Sequence, residues 1–127
     1  MLQFKAVTKK NPQDLLAPEK YYAQPVYSGS VDLDELALFA SKQSTISRAD
    51  CYAVILSLLD LVTHNLSKGR IVRMGHLGNF RVSVSSEGQD MADELTVSAI
   101  KKAKIIFSPG ADLNAMLKSL KYSRVQG

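Results

Sequence analysis

Arg81, Lys102 and Lys104 are the side chains best placed to do chemistry. They fall in two segments where polar and apolar residues alternate: Phe80-Arg81-Val82-Ser83-Val84-Ser85, and the run from Lys101 to Phe107. Period-two alternation is the pattern of a strand, and it sets Arg81 on the face opposite Phe80 and Lys102 and Lys104 on the face opposite Ile105 and Phe107. Three bases on one surface can contact phosphate oxygens. The alternative reading is a solvated strand face kept soluble by its charge.

The remaining reactive groups are scattered. Glu87, Asp90, Asp93 and Glu94 crowd the segment between the two strands, where they would repel phosphate. Their spacing lacks the pattern of a calcium loop, so no metal site is expected and the default is a solvated tip. His64 and His76 have no acid at ligand spacing. Cys51 is the one cysteine, set among apolar neighbours, and reads as a small packed hydrophobe. With no glycine-rich phosphate loop, catalytic carboxylate pair or Ser/His/Asp order, neither a catalytic residue nor a cofactor nor a small-molecule substrate is expected.

The elements that must position the bases follow from the rest of the chain. Its 127 residues leave room for one domain, and 46% hydrophobic with 22% charged residues is ordinary globular composition. A lone cysteine excludes an intrachain disulfide. No apolar run is long enough to span a membrane, and the start, Met1-Leu2-Gln3-Phe4-Lys5, lacks the apolar stretch of a signal peptide, so a cytoplasmic protein is expected. The net charge of +4 points mildly to an anionic partner. Residues 31–69 are net acidic, and the positive charge sits at both ends and in the strand region 70–107.

Residues 2–9 and 19–28 read as two short strands separated by a loop with Pro12 and Pro18; Pro25 makes the second an edge strand or a broken one. Asp32 with Glu35 has capping-box spacing, which predicts a helix whose apolar residues Leu33, Leu36, Ala37, Phe39 and Ala40 recur at helical spacing and which ends near 43–45. Ser47 with Asp50 repeats the signature and opens a second helix running to about Lys68 and stopped by Gly69. That helix is apolar over far more than one stripe. With no further layer to cover it, a second copy of the chain is the economical cover, giving a homodimer with Ile55, Leu58, Leu59, Val62, Phe80 and Phe107 in its core. Strands are then expected at 70–74, at 80–85 and from Leu95 to Phe107, the last either continuous or broken near Ser98-Ala99. Leu113, Met116, Leu117 and Leu120 mark a short closing helix.

Two stretches, from Gly69 through Gly75-His76-Leu77-Gly78-Asn79-Phe80 to Val82 and from Lys104 through Phe107-Ser108-Pro109-Gly110 to Leu113, resemble the histone-like HU/integration-host-factor family of bacterial DNA-binding proteins. The resemblance covers roughly residues 32–122. It implies an α+β, HU-like intertwined homodimer, in which a helical hairpin forms the base beside a three-stranded sheet extended into a long β-arm. Residues 1–30 would add an N-terminal β-hairpin to the domain formed by 31–127, and they resemble the extension of a longer HU-like branch found in gut-type bacteria. The implied function is architectural: binding and bending double-stranded DNA in the bacterial nucleoid with low sequence specificity. The implied contact set is Arg73, Arg81, Lys101, Lys102, Lys104, Lys118 and Lys121.

The sequence departs from the family at three points. The glycine turn is one residue longer, the arm tip carries four acids and neither Arg, Lys nor Pro, and the first 30 residues have no counterpart in the short members. Asn11-Pro12-Gln13 matches the tripeptide that the family carries at its arm tip, so Pro12 is read either as a DNA wedge or as an ordinary turn residue. The alternative function is a dimeric scaffold on the same fold that binds other proteins.

Overall fold

The computed structural model describes residues 1–9 and 12–126. Nine elements follow in the order β1 (Leu2–Lys9), β2 (Lys20–Val26), α1 (Leu33–Lys42), α2 (Arg48–Ser67), β3 (Val72–Arg73), β4 (Gly78–Ser86), β5 (Ile100–Pro109), α3 (Ala111–Ser119) and β6 (Tyr122–Arg124). The chain forms two compact units, one of residues 33–116 and one of residues 1–32 together with 117–127. Placing the last eleven residues with the first thirty-two differs from the sequence reading, which kept them with the helices.

In the larger unit, the consecutive helices α1 and α2 pack against each other, and Ala37 is the one fully buried residue on α1. Ser47 caps α2 by accepting a hydrogen bond from the Asp50 amide at 3.1 Å. The opposite end closes at Gly69, whose φ of +78° is the left-handed geometry glycine adopts without strain. The Gly69 amide donates to the Leu66 carbonyl and the Arg70 amide to that of Asn65. The two helix starts are tied together by Arg48, whose Nε donates to Asp34 Oδ1 at 3.0 Å while its Nη2 contacts Oδ2. The guanidinium holds the Asp34 carboxyl below the ordinary carboxylate value.

Strands β3, β4 and β5 form an antiparallel sheet in that order. Its glycine turn is locked to the start of α3: the Met74 amide donates to the Gly78 carbonyl at 2.8 Å and the Gly110 amide to the Leu77 carbonyl at 2.9 Å. Gly78 has φ +140°, and a Cβ there would overlap the Ser108 carbonyl and the Phe107 ring. Gly78→Ala therefore requires backbone to move as well as a disfavoured φ, and is expected to cost on the order of 2 kcal/mol or more. Chemical denaturation measures it.

One sequence expectation fails in this unit. Residues 95–99 were expected to begin the last arm strand, but β5 begins at Ile100. The segment 87–99 instead contains two short 3-10 turns, Ala92–Glu94 and Val97–Ala99. Leu95-Thr96-Val97 is strand-like in composition but has no partner opposite it, because β4 ends at Ser86 and register is set by pairing.

In the smaller unit, β1 pairs antiparallel with β2 from Gln3↔Val26 to Lys9↔Lys20, as the sequence led us to expect, and β2 lies at the sheet edge, as Pro25 requires. A third strand was not expected. The short β6 joins β1 in parallel, Leu2 to Tyr122 and Phe4 to Arg124, giving the order β2-β1-β6.

Candidate nucleic-acid interface

The β4–β5 register pairs Arg81 with Ile106, Ser83 with Lys104 and Ser85 with Lys102. Directly paired residues share a face, so Arg81, Lys102 and Lys104 do lie together. The register of β3 adds a fourth base, because Arg73 pairs with Asn79, which shares the face of Arg81 two residues on. All four side chains are exposed. Between them lie Asn79, Ser83, Ser85 and Ser108, small polar groups that can donate or accept hydrogen bonds. No carboxylate belongs to β3, β4 or β5.

The other face is apolar. It carries Phe80, Val82 and Val84 opposite Phe107, Ile105 and Ala103, and the two phenylalanine rings lie with centroids 4.9 Å apart. This two-faced construction explains how the bases are held. Alternation keeps the charges off the apolar side, whose Val82, Val84, Ile105 and Phe107 are each at least 40% exposed in the isolated chain.

Not every expected contact residue joins that face. Lys101 is the extra residue of a bulge between the pairs Ser85↔Lys102 and Ser86↔Ile100, and its Nζ lies 4.0 Å from Glu87 Oε1. Lys118 and Lys121 belong to the other compact unit. Pro12 is an exposed turn residue in the β1–β2 connection of that same unit, while Asn11 of the Asn11-Pro12-Gln13 match lies outside the described residues. The segment 87–99 also exposes three apolar side chains, Met91, Leu95 and Val97, the last two of which the sequence reading placed in a strand.

His76 lies 3.4 Å from Asp112, both well exposed, which makes the pair a surface contact at the glycine turn. Cys51 is half-buried. Among the described residues no group of three His, Cys, Asp or Glu could hold a metal ion, and no helix is long and apolar enough to cross a membrane.

A helical hairpin followed by an antiparallel sheet with one basic face, a glycine turn locked to a Pro-Gly, and a closing helix make an HU-like α+β arrangement. The chain belongs to the family described as "HU domain fused to wHTH, Ig, or Glycine-rich motif", which it matches over residues 1–124. A similar fold occurs in the crystal structure of a Bacteroides vulgatus ATCC 8482 protein whose name makes it, provisionally, a bacterial DNA-binding protein. The TM-score is 0.68 at 14% identity, over 98% of this chain and 48% of that one, so the chain spans about half the length of that protein. No curated protein matches the chain.

Proposed function

We propose that the protein is an architectural DNA-binding protein that acts as a homodimer in the bacterial nucleoid, binding and bending duplex DNA with low sequence specificity. The observation that carries this reading is the β3–β4–β5 face, where Arg73, Arg81, Lys102 and Lys104 stand exposed among hydroxyl and amide groups with no acid in the strands. Such a face contacts phosphates and sugars, which fix position on the duplex and carry no sequence information. Family membership supports the same reading. Neither cofactor nor small-molecule substrate enters it.

The dimer is supported by the surface of α2, on which Val54, Leu58, Leu59 and Leu61 are each at least 43% exposed in the isolated chain. A second copy covers that surface, and Ile55, Val62, Phe80 and Phe107 adjoin it in the proposed core. Bending has a candidate wedge in Met91, Leu95 or Val97, apolar side chains of the kind that unstack base steps.

The test is titration of duplex, nicked and pre-bent DNA at rising salt. The proposal expects binding at low salt that weakens steeply as salt rises. Absence of binding to all three DNAs at low salt overturns it and favours the dimeric scaffold. The acidic segment supplies a further expectation. Changing Glu87, Asp90, Asp93 and Glu94 to their neutral amides removes repulsion and raises low-salt affinity. The gain shrinks as the Debye length falls from about 30 Å at 0.01 M to about 10 Å at 0.1 M salt. A loss of affinity would show that the carboxylates hold the arm in its working shape or contact a partner, and would overturn wrapping of the duplex by the arms.

A further inference from the structure

We infer that the N-terminal sheet carries a second nucleic-acid contact, separate from the β3–β4–β5 face: Lys5, Lys9, Lys20 and Tyr22 grip a phosphate backbone. The argument begins with where the net charge resides. The unit of residues 33–116 contains nine bases and nine acids and is neutral, whereas the unit of 1–32 and 117–127 contains seven bases and three acids. The whole excess of +4 therefore belongs to the unit built around the N-terminal sheet.

Register gathers part of that charge on one side. Lys5 pairs with Gln24, Val7 with Tyr22 and Lys9 with Lys20, so these residues share a face, and neither β1, β2 nor β6 contains an acid. The Lys9 ammonium lies 5.6 Å from the centroid of the Tyr22 ring, as their common face requires. The other face, with Leu2, Phe4, Ala6, Ala23 and Pro25, is largely apolar.

Two features separate this face from an ordinary solvated one. Lys9 and Lys20 stand directly opposite each other, and like charges so placed destabilise a strand pair. An anion bound between them removes that repulsion. Lysines also protect sheet edges from pairing with other strands, and β6 covers only Leu2–Phe4 of β1, so that accounts for Lys9 and Lys20 as edge residues but not for their standing directly opposite each other. Lys5 and Lys9 are about 14 Å apart along the strand. That reaches several phosphates of one strand at a rise of about 3.4 Å per nucleotide. Tyr22 supplies an aromatic surface between the cations, the combination on which bases stack in single-strand binding sheets. Duplex and single strand share the backbone chemistry, and the experiment distinguishes them.

The experiment uses the full chain and bromouridine-substituted DNA, as duplex and as single strand. Irradiation is expected to place adducts on Tyr22 with at least one of the two. Lys5, Lys9 and Lys20 changed together to Gln should remove that adduct and flatten the salt dependence of binding by about 2.7 on duplex or about 2.1 on single strand for each N-terminal sheet that engages the nucleic acid. The same three positions changed to Arg should restore both. Adducts confined to β4 and β5, or a salt dependence unchanged with both probes, overturn the inference. Should the Gln variant lose its cooperative melt, the wild-type adduct decides. The two DNA sites are separable: in a chain with Arg81, Lys102 and Lys104 changed to Ala, the Tyr22 adduct should persist. An adduct that survives while those changes leave binding untouched would keep this inference and remove the earlier one.

Discussion

Leu59→Lys is expected to abolish association and cooperative folding together. Leu59 is 57% exposed in the isolated chain, with Val54 at 61% and Leu61 at 56% on the same helix. Helix α1 covers part of α2, and in the larger unit only Ala37, Leu66 and Ala99 are fully buried apolar residues. A core that small is far from what a domain of ordinary stability buries. In the proposed dimer the remaining burial comes from the partner, at about 1.5–3 kcal/mol for each large side chain taken out of water. A lysine in that interface occurs twice in a symmetric dimer, and each unpaired buried charge costs several kcal/mol. The wild type supplies an independent readout. Its melting temperature should rise with protein concentration, as it does whenever folding and association are linked. A well-folded wild-type species of 13.9 kDa in ultracentrifugation, with a melt independent of concentration, would remove the dimer from the proposal.

Local signals in the sequence located most of the elements. Ser47 with Asp50 and then Gly69 bracket α2 because caps act within one turn of the chain, and the alternation around Arg81 is readable because a strand's side chains reverse at each step. What escaped depends on pairing. Three residues, Tyr122–Arg124, are too few to show a period, and β6 exists because β1, at the other end of the chain, offers it an edge. Arg73 could be suspected as a base, but its place beside Asn79 and Arg81 follows from a two-residue strand whose register no local pattern reveals. Conversely, Lys101 continues a run of basic residues and was grouped with Lys102 and Lys104, yet a bulge removes it from the ladder and brings it near Glu87. The partition of charge was hidden for the same reason. Lys118, Lys121 and Arg124 are distant in sequence from Lys5 and Lys9, and only the parallel pairing of β6 with β1 shows the basic ends of the chain to be one unit.

Changing Arg81, Lys102 and Lys104 together to Ala should strongly weaken DNA binding at moderate salt and flatten its salt dependence without unfolding the protein. All three are exposed, and the apolar face behind them, with its Phe80–Phe107 contact, is left intact, so stability should change little. Three bases from each protomer of a dimer would neutralise about six phosphates, and each contributes about −0.9 to the slope of log affinity against log salt, so the slope should flatten by about 5. At 0.2 M salt the wild type would already be weakened about a thousandfold from its 0.05 M affinity, since that is the loss expected of six contacts. The variant should bind more weakly at both salts and keep only the shallower salt dependence of the contacts that remain, Arg73 and the N-terminal sheet among them. Lys102→Arg with Lys104→Arg keeps the charges and should retain the wild-type slope. If the Ala variant instead keeps that slope, the face does not touch phosphate. The exposed bases would then be a solvated strand surface, and the same dimer would be better read as a scaffold whose partners are proteins.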